Sequence, residues 1–373
     1  MSEPARESDS APDTDTDTEA RELLETLVST PSPTPEEGEC AAALAAFFES
    51  HGREVFLDEV GNVRAPADDS VLYTSHVDTV PGDIPVRIEE GDRGPELWGR
   101  GSVDAKGPLA ALAVAAVRTG VSFVGVVGEE VDSRGARHLV EERAAPDAVV
   151  NGEPSGADGI TLGYRGMLSG TYLCTSESGH TSRPENNAIQ DAIGWWSAVE
   201  DRFDTDEYGV APSEQRDEAG DAGEVPVFER VTPKPVSIEG GVSDDGLAVE
   251  TTLDVQLRVP PRYSTEDIEE LAAAELEAGT VTWTDSVEPT MQSPRTPIAR
   301  AFRVAIREAG GDPRLLRKTG TADMNIYAGA WDCPMVTYGP GDSDLDHAPN
   351  ERLELHELDR AVAVLEAVAA ALT

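Results

Sequence analysis

The stretch VLYTSHVDTVPG, Val71 to Gly82, decides how the rest of the chain is read. Val71, Leu72 and Tyr73 are the tail of an apolar run of strand type, and a strand places residues i and i+2 on one face. His76 and Asp78 therefore stand side by side just past a strand end. The chain has only six histidines. An imidazole beside a carboxylate is either a satisfied hydrogen-bonded pair or a metal ligand with the group that orients it. Taken alone, the pair favours the first reading.

Working outward, the same pattern recurs. EVFLDEVGNVRA (54–65), VSFVGVVGEE (121–130) and DAVVNGEP (147–154) read as further strands, and LAALAVAAV (109–117) as a helix between two of them. Strands alternating with helices predict an α/β sheet of partly parallel order, whose sites gather outside the carboxyl ends of the strands. There the sequence supplies metal-capable side chains in order. WGRGSVDAKGP (98–108) puts Asp104 in a Gly-rich turn, VVGEEVDS (126–133) sets Glu129 beside Glu130, and NGEPSG (151–156) carries Glu153. GPGDSDLDHAPNERL (339–353) carries His347 before a last helix, Leu355 to Leu372.

Each residue has a plain alternative: His76 as a core histidine, Glu129 and Glu130 as a solvated pair, Asp104 as a turn or helix cap. Five strand-end positions in order favour a dinuclear metal site. Two imidazoles and three carboxylates suit zinc, with cobalt or manganese also accepted. One carboxylate can bridge two ions about 3.5–4 Å apart. Neighbouring glutamates can diverge, one to a metal and one to a water as general base.

Composition bounds the partners. The 373 residues are enough for two domains, and 72 acidic against 29 basic residues give a net charge of -43. There are only three lysines, Lys106, Lys234 and Lys318. Such self-repulsion is screened at molar salt, where the Debye length is about 3 Å, so a salt-accumulating cytosol is expected. No basic stripe neutralises phosphates, which argues against nucleic acid, and the same charge disfavours an anionic membrane. No apolar run approaches the roughly 20 residues of a bilayer span, and no signal peptide opens the chain. Cys40, Cys174 and Cys333 are odd in number and far apart, as expected of buried thiols in a reducing compartment. A cytoplasmic protein is expected.

Residues 1–18 read as a disordered acidic tail, and helical spacing of apolar residues runs from Glu19 to His51, broken by a turn at PSPTPEE (31–37). Near Gly163 the pattern changes. GYRGMLSGTYLCTSES alternates like sheet edges, a helix carries Ile189, Ile193 and Trp196, and 203–227 is an acidic, Gly/Pro-punctuated loop. A strand at 247–261 and a capped helix at 264–278 complete a block of small α+β type. α/β character returns from Thr290. The predicted fold class is α/β: a mixed-sheet domain with helices on both faces, in 19–163 and 284–373, interrupted by an inserted α+β domain, 164–283.

HVDTVP, GRGSVDAKGP, GEEVDSRGA, SGHTSRPENN and DHAPNE together resemble the zinc aminoacyl-hydrolase family of acetylornithine deacetylase, succinyl-diaminopimelate desuccinylase and glutamate carboxypeptidases. The resemblance spans about residues 70–355. It implies a catalytic domain with an inserted lid or dimerisation domain, a homodimer, and two Zn2+ ions for which Co2+ can substitute. His76 and Glu153 would hold one ion, Glu130 and His347 the other, and Asp104 would bridge them. Glu129 would be the general base and Asp78 would orient His76. His180 resembles a histidine that stabilises the tetrahedral oxyanion, often across a dimer. Asn187 and Arg258 resemble lid groups that approach a substrate carboxylate, a task for which a guanidinium suits.

KTGTADMN, within Arg317–Tyr327, resembles the branch that releases lysine or ornithine from an acidic amino-group carrier protein, in lysine and arginine biosynthesis. There the amino acid is joined through its α-amino group to the γ-carboxyl of the carrier's C-terminal glutamate. Asp323 would then face the ammonium of the released amino acid, Lys318 or Arg317 a glutamate carboxylate, and Thr321 would line the same pocket. Lys106, beside Asp104, is a further site candidate because lysine is so scarce. The alternatives are a deacetylase, desuccinylase or small peptidase on the same site, and a silent metal-binding or peptide-binding protein. The silent reading predicts loss of the base or a ligand, and every one is present.

Overall fold

Alternation in the run around Val71 sends its side chains to two cores. Val71 and Tyr73 pack with Phe123 and Val150 on one face, while Leu72 packs with Val124 and Val149 on the other. A strand buried on both faces must lie inside a sheet covered by helices. The computed structural model describes residues 17–182, 184–204 and 225–373. Among them, a nine-stranded sheet runs Phe56–Leu57, Val63–Ala65, Val121–Val126, Asp68–His76, Val149–Gly152, Met335–Thr337, Gly159–Tyr164 and Thr290–Met291, with Arg314–Lys318 also paired to Gly159–Tyr164. The four central strands, Val121–Val126, Asp68–His76, Val149–Gly152 and Met335–Thr337, are parallel. The outer strands include antiparallel pairs, so the sheet is mixed. The expected continuous strand at 54–65 is instead two short strands, because Asp58 turns the chain by accepting from the backbone of Val60 and Asn62.

Helices Thr18–Val28, Gly38–Ser50, Lys106–Thr119, Pro297–Glu308 and Leu355–Leu372 cover one face. Arg134–Glu142 and Asp323–Ala330 cover the other. Asp17 and Thr18 are not tail: Asp17 caps the first helix through the Ala20 amide, which has no partner within the helix. The acidic segment 205–224 and residues 1–16 lie outside the described residues.

The chain leaves the large sheet at Tyr164 and builds a separate antiparallel sheet, ordered Thr232–Val242, Ala248–Val259, Gly166–Glu177, Thr280–Val287. Helices Ala188–Phe203 and Thr265–Ala274 pack on one face of it around Leu168, Tyr172, Trp195 and Leu253. Strand Thr280–Val287 runs through the boundary expected at 283, since it pairs with Gly166–Glu177 along its whole length. A third sheet, Arg352–Glu354, Gly94–Trp98, Arg87–Gly91, ties the last loop to the segment before Asp104.

Candidate metal centre and catalytic cleft

Parallel order places the ends of Val121–Val126, Asp68–His76, Val149–Gly152 and Met335–Thr337 on one side of the large sheet. The chemistry-bearing residues leave from those ends. Gly152 lets its strand approach closely: a Cβ there would lie 2.3 Å from Leu112 Cδ1 and 2.7 Å from Ser75 Cβ. Glu153 follows at once. After Val126 the chain turns at Gly128, whose φ of +78° favours glycine. The turn presents successive amides to one carboxylate: Asp78 accepts from Glu129 N at 3.1 Å and from Glu130 N at 3.1 Å. Thr34 Oγ1 donates to the same carboxylate at 2.6 Å. Asp78 therefore holds the Glu129–Glu130 turn and also lies beside His76, its Oδ1 3.6 Å from Nδ1. Burial would raise the Asp78 carboxyl, but the bonds from His76, Thr34 and Glu130 outweigh it and bring it down to about 2.

Asp104 sits between two imidazoles. His76 Nε2 lies 3.1 Å from Asp104 Oδ1, and His347 Nε2 lies 3.1 Å from Asp104 Oδ2. His347 Nε2 is also 3.0 Å from Glu130 Oε2, and His76 Nε2 is 4.0 Å from Glu153 Oε1. The backbone of His347 adopts φ +59°, a left-handed conformation that costs a histidine some strain. Burial and the neighbouring Glu153 hold Glu129 well above the usual carboxylate range, and burial pushes Glu153 up to about 8. Asp104 is lowered against the effect of burial by its bonds to His347 and His76. His347 rises to about 9, chiefly through Asp104.

The donor set fits divalent cations. Two imidazole nitrogens face opposite oxygens of one carboxylate, and His76, Asp104 and Glu130 each offer a ligand atom within 4.8 Å of the others. Glu130 Oε1, Asp323 Oδ1 and Asp346 Oδ1 are buried without a hydrogen-bond partner. A buried carboxylate oxygen left without a partner is costly unless a cation or its water satisfies it.

A residue not singled out from the sequence builds the rest of the centre. Glu351 is fully buried and accepts from Arg100 Nη1 at 2.7 Å, Gly101 N at 3.1 Å, Val103 N at 2.9 Å and Asp104 N at 3.0 Å. It lies four positions after His347, so it joins the loop carrying one histidine to the turn carrying the bridging candidate. The signal was present in DHAPNERL, but nothing marks one glutamate among 72 acidic residues.

The other candidates divide. Arg258 and Thr321 meet, Nη1 to Oγ1 at 3.3 Å, where the small sheet touches the loop after Arg314–Lys318. Arg165, also unforeseen, braces that loop by donating to Thr319 O at 2.8 Å and to Thr232 Oγ1 at 2.8 Å. Asp323 is buried near His76, and burial raises it to about 7. Lys318 Nζ stands 3.9 Å from Asp346 Oδ2, next to His347. Arg317 is turned to Glu229 at 2.9 Å. His180 and Asn187 are not brought to the cluster: His180 is exposed and bonded to Ser182, and the Asn187 side chain caps helix Ala188–Phe203. Lys106 is not a site residue. Its buried ammonium donates to Leu27 O at 2.9 Å and Thr30 O at 2.8 Å, satisfying carbonyls at the end of the first helix.

The fold and the cluster are those of a candidate metallohydrolase, and the sequence pattern of the peptidase family M20/M25/M40 matches residues 72–371. The chain belongs to that family. It is similar to the [LysW]-lysine hydrolase of Deinococcus radiodurans, 40% identical over 93% of this chain and 95% of that protein. It is also similar to a putative [LysW]-lysine/[LysW]-ornithine hydrolase of Thermococcus kodakarensis, 38% identical over 92% of this chain and 89% of that one. The fold matches an M20 metallo-carboxypeptidase of Sulfolobus solfataricus with a TM-score of 0.73 at 19% identity, covering 95% and 99% of the two chains. A dinuclear metal-binding M20 peptidase of Bacillus subtilis superposes with a TM-score of 0.65 at 12% identity, covering 94% and 96%.

Proposed function

We propose that this protein is a metal-dependent amide hydrolase that releases lysine or ornithine from the C-terminal glutamate of an amino-group carrier protein, in lysine and arginine biosynthesis. The observation that carries the chemistry is the Asp104 carboxylate placed between His76 and His347, beside a Glu129–Glu130 turn held by Asp78. Similarity to the [LysW]-lysine hydrolases over nearly the whole chain supports the substrate.

His76 and Glu153 would hold one cation, Glu130 and His347 the other, with Asp104 shared; zinc suits this set, and cobalt can replace it. Bound there, such cations would supply Lewis acidity toward the scissile carbonyl and lower the pKa of a water. Glu129, with its amide fixed to Asp78, accepts the proton of the attacking water and returns it to the departing amine. Asp78 keeps the His76 ring in place from its Nδ1 side. Arg258 and Lys318 take a carboxylate of the glutamate, Thr321 orients Arg258, and the buried Asp323 faces the ammonium of the amino acid.

His180 and Asn187 act from a second copy of the chain in this reading, and His180 then donates to the developing oxyanion. The outer strand Thr232–Val242 exposes Val236, Ile238 and Val242, and pairing of that edge would bury them in a homodimer. A cytoplasmic location is part of this reading. The described residues contain no helix long and apolar enough to cross a membrane.

The test is amide cleavage by purified protein in molar potassium chloride with zinc or cobalt. Carrier-linked lysine, carrier-linked ornithine, N-acetylornithine and N-succinyl-diaminopimelate are compared, with released amine followed by mass spectrometry. Preference for a carrier-linked substrate is expected; preference for a free acyl amino acid overturns the substrate while keeping the chemistry.

A further inference from the structure

Charge is not spread evenly over this chain. Between Arg295 and Lys318 there are seven basic residues and two acidic ones, Glu308 and Asp312, in a protein of net charge -43. Most of its other surface arginines are neutralised locally, as in Arg21–Asp359, Arg87–Glu89, Arg143–Asp69 and Arg352–Glu96. Arg295, Arg300, Arg303, Arg307 and Arg314 are different. Among the described residues, none of these five has a carboxylate oxygen within ion-pair distance of 4.0 Å. Arg303 and Arg307 donate only to main-chain carbonyls, Arg303 to Ala299 and Pro294 and Arg307 to Arg303.

Helical geometry collects them. In Pro297–Glu308 the buried side chains are Ile298, Ala299, Phe302, Ala305 and Ile306. Arg300, Arg303 and Arg307, spaced by three and four, form a row on the opposite, outward side. Arg295 precedes the helix, and Arg303 reaches back to the carbonyl of the adjoining Pro294. The chain then passes through Arg314 along the strand to Lys318, whose ammonium lies 3.9 Å from the carboxylate of Asp346, the neighbour of His347. Among the described residues, this row of guanidiniums carries no carboxylate partner on a chain that has many carboxylates.

We propose that the outward face of helix Pro297–Glu308, with Arg295 and Arg314, is a docking surface for an acidic protein, and that this protein is the amino-group carrier whose C-terminal amide is cleaved. The proposal rests on the functional reading above. Two acidic proteins approach one another readily only when salt screens them. At about 1 M the screening length is about 3 Å, so steering vanishes and recognition falls to contact-distance pairs. Guanidinium–carboxylate forks are such pairs.

The experiment compares wild type with the triple variant Arg300→Gln, Arg303→Gln, Arg307→Gln; glutamine keeps helix propensity while removing the charges. A control, Arg87→Gln, Arg93→Gln, Arg137→Gln, makes the same change in net charge at arginines already paired with carboxylates. Each is assayed in molar potassium chloride on carrier-linked lysine and on the dipeptide γ-glutamyl-lysine, with circular dichroism to confirm folding. The helix variant is expected to raise KM for the carrier substrate roughly 10-fold or more while leaving kcat and dipeptide cleavage within about twofold, and the control to leave both substrates alone. Equal carrier KM in wild type and helix variant overturns the docking surface and leaves the functional reading intact. Failure of the wild type to cleave carrier-linked lysine overturns both.

Discussion

At the scale of single residues, division of labour within the cluster can be read from which atoms are engaged. Glu130 has one oxygen on His347 and the other without a partner, which fits the ligand role proposed for it, while the Glu129 side chain carries no such contact, which fits the proposed base. Glu129→Gln is expected to lower kcat by roughly 10²- to 10⁴-fold with bound metal unchanged by elemental analysis. Survival of activity would sink the assigned base. Glu351 makes a different prediction. It touches no candidate substrate position, yet four donors of the 100–104 turn converge on it. Glu351→Gln keeps the volume and removes the charge that Arg100 and three amides share. Outer-shell partners of this kind are worth roughly 10- to 100-fold in metal affinity. Calorimetric titration with cobalt should show that weakening, and unaltered affinity would reduce Glu351 to a fold-stabilising role.

At the scale of elements, the informative feature is the contact between the small sheet and the loop after Arg314–Lys318. The resemblance of KTGTADMN gave 317–327 a substrate-binding role. In the structure Arg165, at the junction where the chain enters the small sheet, and Arg258, in its strand Ala248–Val259, both reach that loop, and Asn325 Nδ2 donates to Arg165 O at 3.2 Å and to Glu288 O at 2.8 Å. In the proposed reading these bonds join the small sheet to the residues assigned to the substrate. A charge-assisted bond of this type is worth about 1.5–3 kcal/mol, so Arg258→Ala is expected to cut kcat/KM on carrier-linked lysine roughly 10- to 100-fold, mainly through KM. Cleavage kinetics with unchanged KM would remove Arg258 from carboxylate binding. The elements themselves were largely legible: the Leu355–Leu372 helix and the strands bearing Val71, Val121 and Val149 follow from apolar periodicity and length. Strand Thr232–Val242 was not, because its alternation is weak and its side chains are almost all exposed, so no buried face marked it.

At the scale of the whole molecule, the net charge of -43 governs behaviour in solution. Surface carboxylates are gathered by a few arginines; Arg118 alone binds Asp17, Glu19 and Glu366 and so ties the first helix, Lys106–Thr119 and the C-terminal helix together. Such links do not offset repulsion among the remaining acids. The Debye length shrinks from about 10 Å at 0.1 M to about 3 Å at 1 M salt. The melting temperature is therefore expected to rise steeply with potassium chloride between those concentrations, as followed by circular dichroism. A flat or falling curve would count against adaptation to a salty cytosol.

The sequence by itself determined the alternation of strands and helices, the acidic surface, and the residue types at each strand end, because periodicity and composition are local properties. It also identified His76, Asp104, Glu130 and His347, which the fold brings within bonding reach of one another. Only the tertiary structure decided that Asp78 holds the Glu129–Glu130 turn, that Glu351 secures the Asp104 turn, and that Lys106 serves a helix end and not the cleft. Each of those roles depends on a hydrogen bond between segments 51 to 251 residues apart. A side chain's role there is set by which donors the packed chain delivers to it, and no local pattern encodes that.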